Sequence, residues 1–196
     1  MPDRIAVLLD RDGVINRRLE AGVRRVSDFD FVPRALEALA LINSIDAIVA
    51  VVSNQANIGR QLLTFEELQR IHAAMLERIR ASGGRVDAVY FCPHTPAAAC
   101  SCRKPAPGML RRAAAELKFA LESAFMIGDQ ECDIEAARRA GCRPILIADW
   151  GPAPVAGSVA SAVAQDLFAA AELLVTEAYH RGARRPSVPA GVEGAW

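Results

Sequence analysis

The chain has 196 residues, 23 of them Lys or Arg and 23 Asp or Glu, so its formal net charge is zero. With 52% hydrophobic and 23% charged residues it has the composition of an ordinary soluble globule, and the charge balance argues against a general binder of nucleic acid or membrane surfaces. No stretch approaches the roughly 20 apolar residues of a membrane span, and the first apolar run starts at once without a signal-peptide pattern, so the expected location is the cytoplasm.

In chain order, residues 5–9 (Ile-Ala-Val-Leu-Leu) read as a buried parallel strand that ends on Asp10-Arg11-Asp12-Gly13-Val14. A helix is predicted over 34–44 and a second strand over 48–52, ending at Ser53-Asn54-Gln55. Thr64 and Glu67 have capping-box spacing and open a helix over 64–81. A third strand over 86–91 runs into Cys92, and a helix follows Pro107-Gly108 to Leu117. The fourth strand, 124–127, ends at Gly128-Asp129, and a helix over 133–140 stops at Gly141. A fifth strand, 145–148, ends at Asp149, and a last helix covers 166–179. This alternation predicts an α/β fold with a doubly wound, mostly parallel sheet. One domain is expected over 1–180, with an Arg- and Pro-rich tail over 181–196.

Polar residues recur where the strands end, which is where open α/β sheets bind their ligands. Asp10 and Asp12 lie two residues apart, so both carboxylates are expected to face one shared ligand, and their repulsion calls for a divalent cation between them. Gly13 permits the sharp turn that follows. Singly, each polar position is unremarkable, because Asp or Ser-Asn after a strand is usually a turn. Together, Asp10, Asp12, Ser53, Lys104 and Asp129 supply carboxylates, a hydroxyl and an ammonium suited to a phosphate ester held against Mg²⁺. Asp10 and Asp129 would each offer the metal an oxygen, and Lys104 would offset the phosphoryl charge. A carboxylate can attack phosphorus, Asp12 would serve as acid and base, and Ser53 would hold equatorial oxygens.

Asp10-x-Asp12-Gly13-Val14, Ser53-Asn54-Gln55, Lys104 and Gly128-Asp129-x-x-x-Asp133 resemble the four motifs of the haloacid dehalogenase (HAD) superfamily, in the expected order. The resemblance implies that Asp10 is the nucleophile and Asp12 the acid/base. It also implies that Asp12, through its carbonyl, and Asp129 join Asp10 in holding Mg²⁺. Ser53, Asn54, Gln55, Arg103, Lys104 and Gln130 would then face phosphate or substrate, and Asp133 would orient Lys104 or a metal-bound water.

Cys92-Pro93-His94 with Cys100-Ser101-Cys102 places three thiols and an imidazole within eleven residues, a Cys₃His set for a closed, structural Zn²⁺ site. Followed by Arg103-Lys104-Pro105, this loop resembles the D-glycero-D-manno-heptose 1,7-bisphosphate phosphatases, with the histidinol-phosphate phosphatases as close relatives. That resemblance implies a HAD core without a large cap domain, acting on a small phosphorylated sugar; a monomer is expected. Three segments depart from its usual pattern: Glu20-Ala21-Gly22-Val23 lacks a Tyr, Ala56-Asn57-Ile58-Gly59-Arg60 replaces a Ser/Ala-Gly-Ile run, and Gln130 follows Asp129. All three are expected in the substrate-facing shell. A receiver-like phosphorylation module would share an Asp cluster and a Lys, but its acceptor would follow the third strand, where Cys92-Pro93-His94 stands. A catalytically silent zinc or phosphosugar binder remains a further alternative. His72, within a helical pattern, is expected to be at the surface or partly packed and not catalytic.

Overall fold

Strand alternation sets the layering. In β1 (Ala6–Leu9), Val7 and Leu9 join the core on one face of the sheet, while Ala6 and Leu8 join the core on the other. β2 (Ile48–Asn54) divides its side chains in the same way: Val49 and Val51 on one side, Ala50 and Val52 on the other. A strand buried on both faces has to be apolar throughout, which is why these runs stand out in the sequence. The computed structural model describes residues 4–148 and 160–180.

The sheet is completed by β3 (Ala88–Cys92), β4 (Phe125–Gly128), β5 (Arg143–Ile147) and β6 (Ala162–Ala164), all parallel, in the order β3-β2-β1-β4-β5-β6. The strand order reverses between β1 and β4, and such a switch point opens a crevice at the C-terminal ends of the two strands. Asp10 and Asp129 leave the sheet there.

Helices α1 (Ala35–Asn43) and α6 (Leu167–His180) bury their apolar stripes in one core, joined by Met75 and Ile79 of α3 (Phe65–Ala81), whose Leu68 and Ile71 pack with Val23 and Leu63 in a smaller cluster; α4 (Gly108–Leu117) and α5 (Glu131–Ala140) bury theirs in the other core. Thr64 caps α3 by accepting from the Glu67 N–H at 3.1 Å, and Gly141 ends α5 at φ +87°. A short helix, α2 (Ala56–Gly59), follows β2 directly. The 10–34 segment between β1 and α1 contains loops and a single 3₁₀ turn, so no cap domain covers the crevice from that side.

Several elements differ from expectation: α2 was not foreseen, β2 runs on through Ser53 and Asn54, β3 begins at Ala88 and β5 begins at Arg143. β6 was not foreseen, because three residues with one buried side chain carry no strand signal against the surrounding Ala and Ser. α5 begins at Glu131 instead of Asp133, since Asp133 sits at the third helical position and accepts from the Gln130 N–H at 3.1 Å. Asp149 and the tail over 181–196 lie outside the described residues. Among the described residues, no helix is long and apolar enough to cross a membrane.

Candidate active site

Lys104 organises the floor of the crevice. Its side chain is almost wholly buried, and Nζ donates to Asp10 Oδ1 at 2.9 Å, Asp133 Oδ1 at 2.7 Å and the Val52 carbonyl at 2.7 Å. Burial alone would lower the ammonium's pKa, but the Asp10 and Asp133 charges outweigh it and hold the group raised. An ammonium has three hydrogens, and three acceptors are in place. Lys104 therefore fixes Asp10 and has no hydrogen left over for a further acceptor. The Asn54 amide bonds the Lys104 backbone twice, N–H to Oδ1 and Nδ2 to carbonyl, each at 3.0 Å, so Asn54 locks the lysine loop onto the end of β2.

The Asp10 and Asp12 carboxylates are held by different protein partners. The chain leaves extended geometry after Asp10 and turns through Gly13 at φ +95°, so the i, i+2 rule for strands no longer applies. Asp12 turns aside to Arg11, whose Nη2 reaches both carboxylate oxygens at 3.0 Å, to Asn16 Nδ2 at 3.0 Å and to Gln55 Nε2 at 2.9 Å. Burial pushes the Asp12 carboxyl up, but the Arg11 charge and these bonds prevail and hold it below the usual range. Gln55 also donates to Ser53 Oγ at 2.8 Å, tying the hydroxyl to the same network. Asp10 faces Lys104, and burial raises its carboxyl to about 6 despite the lysine.

Asp129 stands opposite. Burial raises its carboxyl, offset by the Arg18 guanidinium, which donates Nη2 to Oδ1 at 2.6 Å and Nε to Oδ2 at 3.0 Å. Arg18 Nη2 also donates to the Asp12 carbonyl at 2.7 Å and lies 3.8 Å from Asp10 Oδ2. Three hard oxygens from Asp10, Asp12 and Asp129 thus converge on one cationic group, an arrangement whose charge and donor type fit a divalent ion. Asp133 also lies within 4.8 Å of Asp10 and Asp129, but its two oxygens are already engaged by Lys104 and the Gln130 N–H.

A second cluster lies beside the first. Cys92 Sγ is 3.5 Å from His94 Nδ1, 3.6 Å from Cys100 Sγ and 3.3 Å from Cys102 Sγ; Cys102 Sγ is 3.3 Å from both His94 Nδ1 and Cys100 Sγ. A tetrahedron with zinc–sulfur bonds of about 2.3 Å has edges of about 3.8 Å, so these spacings lie close to those of a closed zinc site. All four positions come from protein, which leaves no place for a reactive water.

Beside Asp12 lies a cleft of about 210 Å³, also lined by Arg18, Gly22, Asn57, Arg60 and Arg103. Arg103 is half-buried and donates to the His94 carbonyl at 3.3 Å, so the cysteine loop positions it. Gln130 is exposed at the start of α5, where Nε2 donates to the Asp129 carbonyl at 3.1 Å; it is not among the residues lining the cleft.

A HAD-hydrolase-like family model matches residues 101–151. The D-glycero-β-D-manno-heptose-1,7-bisphosphate 7-phosphatase of Bordetella bronchiseptica is 35% identical over 88% of this chain and 98% of its own. The Pseudomonas putida enzyme of the same name is 36% identical, over 72% of this chain and 81% of its own. The crystal structure of the B. bronchiseptica D,D-heptose 1,7-bisphosphate phosphatase, complexed with magnesium and phosphate, superposes with a TM-score of 0.80 over the same share of both chains. A HAD-like phosphatase from Mesorhizobium loti, 31% identical, gives 0.74 over 89% of this chain and 88% of its own.

This chain belongs to the heptose-bisphosphate phosphatase family of HAD-like hydrolases.

For a HAD phosphatase the sequence motifs name the groups at the crevice but not those that hold them. Arg11, entirely buried, was passed over because it stands between two more conspicuous aspartates. His72, expected at the surface or partly packed, is buried at 8% exposure, and its Nε2 lies 3.2 Å from Arg11 Nη1. Burial, then the Arg11 charge, lowers its pKa to about 4, so the neutral ring accepts from the guanidinium. Its place on the inner stripe of α3, beside Leu68, Ile71 and Met75, was the available signal. Arg18 had no signal at all, since nothing in the Arg17-Arg18 pair separates it from solvated surface charge.

Proposed function

We propose that this phosphatase removes the 7-phosphate of D-glycero-D-manno-heptose 1,7-bisphosphate with the help of Mg²⁺, forming a phosphoryl ester on Asp10. The observation that carries the reading is the convergence of the Asp10 carboxylate, the Asp12 carbonyl and the Asp129 carboxylate at the β1/β4 switch point, beside buried Lys104. Those three oxygens would hold Mg²⁺, which when bound supplies positive charge against the phosphoryl oxygens. The relatives' names support the substrate, and three arginines lining the cleft suit an anionic sugar.

Asp10, fixed by Lys104 and by its N–H bond to the Ile127 carbonyl at 2.9 Å, attacks phosphorus, and the phosphorus–oxygen bond to the sugar breaks. Asp12, in the form that carries a proton, gives it to the leaving alkoxide and then takes one back from the water that hydrolyses the acyl phosphate, so the proton it spends is restored in each turnover. Arg11, Asn16 and Gln55 hold that carboxyl in place through both steps. Ser53 and backbone N–H groups meet the equatorial oxygens. The cysteine loop, holding Zn²⁺, fixes Arg103 and Lys104, which follow Cys102 directly. A sugar phosphate is too charged to cross a membrane unaided, so we place the enzyme in the cytoplasm, acting as a monomeric catalytic domain over residues 1–180.

The test is phosphate release, with Mg²⁺, from the α and β anomers of heptose 1,7-bisphosphate, from histidinol phosphate and from other sugar phosphates, with Asp10→Asn as blank. Turnover is expected to be fastest on a heptose bisphosphate and absent in the blank. Equal rates for wild type and blank across the panel would overturn the reading, and a clear preference for histidinol phosphate would replace the substrate.

A further inference from the structure

We propose that Arg18 is an internal counter-cation that competes with Mg²⁺ for the oxygens of the active site and must swing away when the metal binds. This rests on the reading that Asp10, Asp12 and Asp129 hold the metal.

The guanidinium touches all three of those residues at the very atoms the reading assigns. Nη2 lies 2.6 Å from Asp129 Oδ1, 2.7 Å from the Asp12 carbonyl and 3.8 Å from Asp10 Oδ2, and Nε takes the second oxygen of Asp129 at 3.0 Å. Mg²⁺ demands oxygen ligands at about 2.0–2.1 Å in near-octahedral array. An ion that close to the Asp129 oxygen and the Asp12 carbonyl would overlap a nitrogen bonded to both, and the two positive charges would repel. Occupancy by one therefore excludes the other.

The side chain has room to move, since it reaches the site from a loop and from solvent. Arg18 lies in a loop outside any helix or strand, and 43% of its side chain is exposed, whereas the other two cations here are buried: Lys104 is locked by three acceptors and Arg11 is held on Asp12. Arg18 also lines the cleft that carries Arg60 and Arg103. The displaced guanidinium thus has a place in which to meet an anionic substrate. The outcome is a metal requirement set partly by the protein: free Mg²⁺ has to exceed the level at which it displaces Arg18.

Isothermal titration of Mg²⁺ into the full-length wild type, Arg18→Gln, Arg18→Lys and Asp129→Asn tests this without any assay of turnover. An exposed, charge-assisted contact is worth about 1 kcal/mol, equivalent to about fivefold in affinity. Arg18→Gln should bind Mg²⁺ at least about fivefold more tightly than wild type, with Arg18→Lys between the two. In chelator, Arg18→Gln should melt below wild type, and saturating Mg²⁺ should close that gap. Equal or weaker Mg²⁺ binding by Arg18→Gln, with wild type binding normally and Asp129→Asn not at all, would overturn the competition and leave the metal site standing. Absence of Mg²⁺ binding in wild type and variants alike would overturn both.

Discussion

At the residue scale, the site depends on side chains that never meet substrate. Asp12 can exchange protons only if its carboxyl is held still, and Arg11 holds it from a position with no solvent contact. His72 completes that support, and its depressed pKa makes a prediction. The unfolded chain protonates His72 near pH 6.5, while the folded chain does so only near 4. Between those values the unfolded state binds the extra proton, so stability is full above pH 6.5 and is lost as pH falls toward 4. By pH 4.5 the loss from this group is on the order of 2 kcal/mol. Urea unfolding at pH 7 and 4.5 should show that difference shrinking in His72→Gln; an unchanged difference would remove His72 from the account. Gly13 supports a second prediction. At φ +95° a Cβ is strained, and there it would collide with the Asp129 carboxylate. Gly13→Ala should cost about 2 kcal/mol in thermal or denaturant unfolding and displace a proposed metal ligand. Its kcat should fall about a hundredfold, as expected for loss of a group that stabilises transition-state charge. Near-normal kinetics would show that the turn tolerates a side chain.

At the element scale, two sets of loops frame the proposed site. The cysteine cluster joins the end of β3 to Lys104, so metal in that cluster would be coupled to the active site through only two residues after Cys102. Elemental analysis should find about one zinc per chain, and Cys100→Ser should lower both zinc content and kcat together with the melting temperature. Zinc-free protein of undiminished stability would contradict a structural role. The second loop pair contains two of the segments that depart from the family pattern. Asn57 Nδ2 donates to the Ala21 carbonyl at 2.8 Å, and a Cβ on Gly22 would meet that same amide at 2.7 Å. The two departures therefore fit each other across the cleft. Asn57→Ala should raise KM about fivefold for the preferred substrate, the worth of one exposed hydrogen bond, with kcat nearly constant. A fall in kcat at constant KM would place Asn57 in the chemistry instead.

At the scale of the whole molecule, legibility followed burial. Strands β1, β2 and β4 were plain in the sequence because a parallel strand covered on both faces must be apolar from end to end. The residues at their ends could be read because their chemistry is conspicuous. Partnership was not readable. The divergence of Asp12 from Asp10 depends on how the chain turns at Gly13. The link from His72 on α3 to Arg11 spans 61 residues, which no local pattern encodes. β6 was missed because its pairing with β5 is a property of the sheet edge and not of the Ala-Val-Ala sequence. What the strand order adds is the crevice between β1 and β4, and it is there that Asp10 and Asp129 meet. The central claim is that Asp10 carries the phosphoryl group, and rapid quenching of a single turnover with heptose 1,7-bisphosphate and Mg²⁺ tests it directly. The account predicts a phosphorylated peptide containing Asp10 that forms and decays at the rate of phosphate release and is missing in Asp10→Asn. A phosphoryl group on any other residue, or undiminished release by Asp10→Asn, would contradict it.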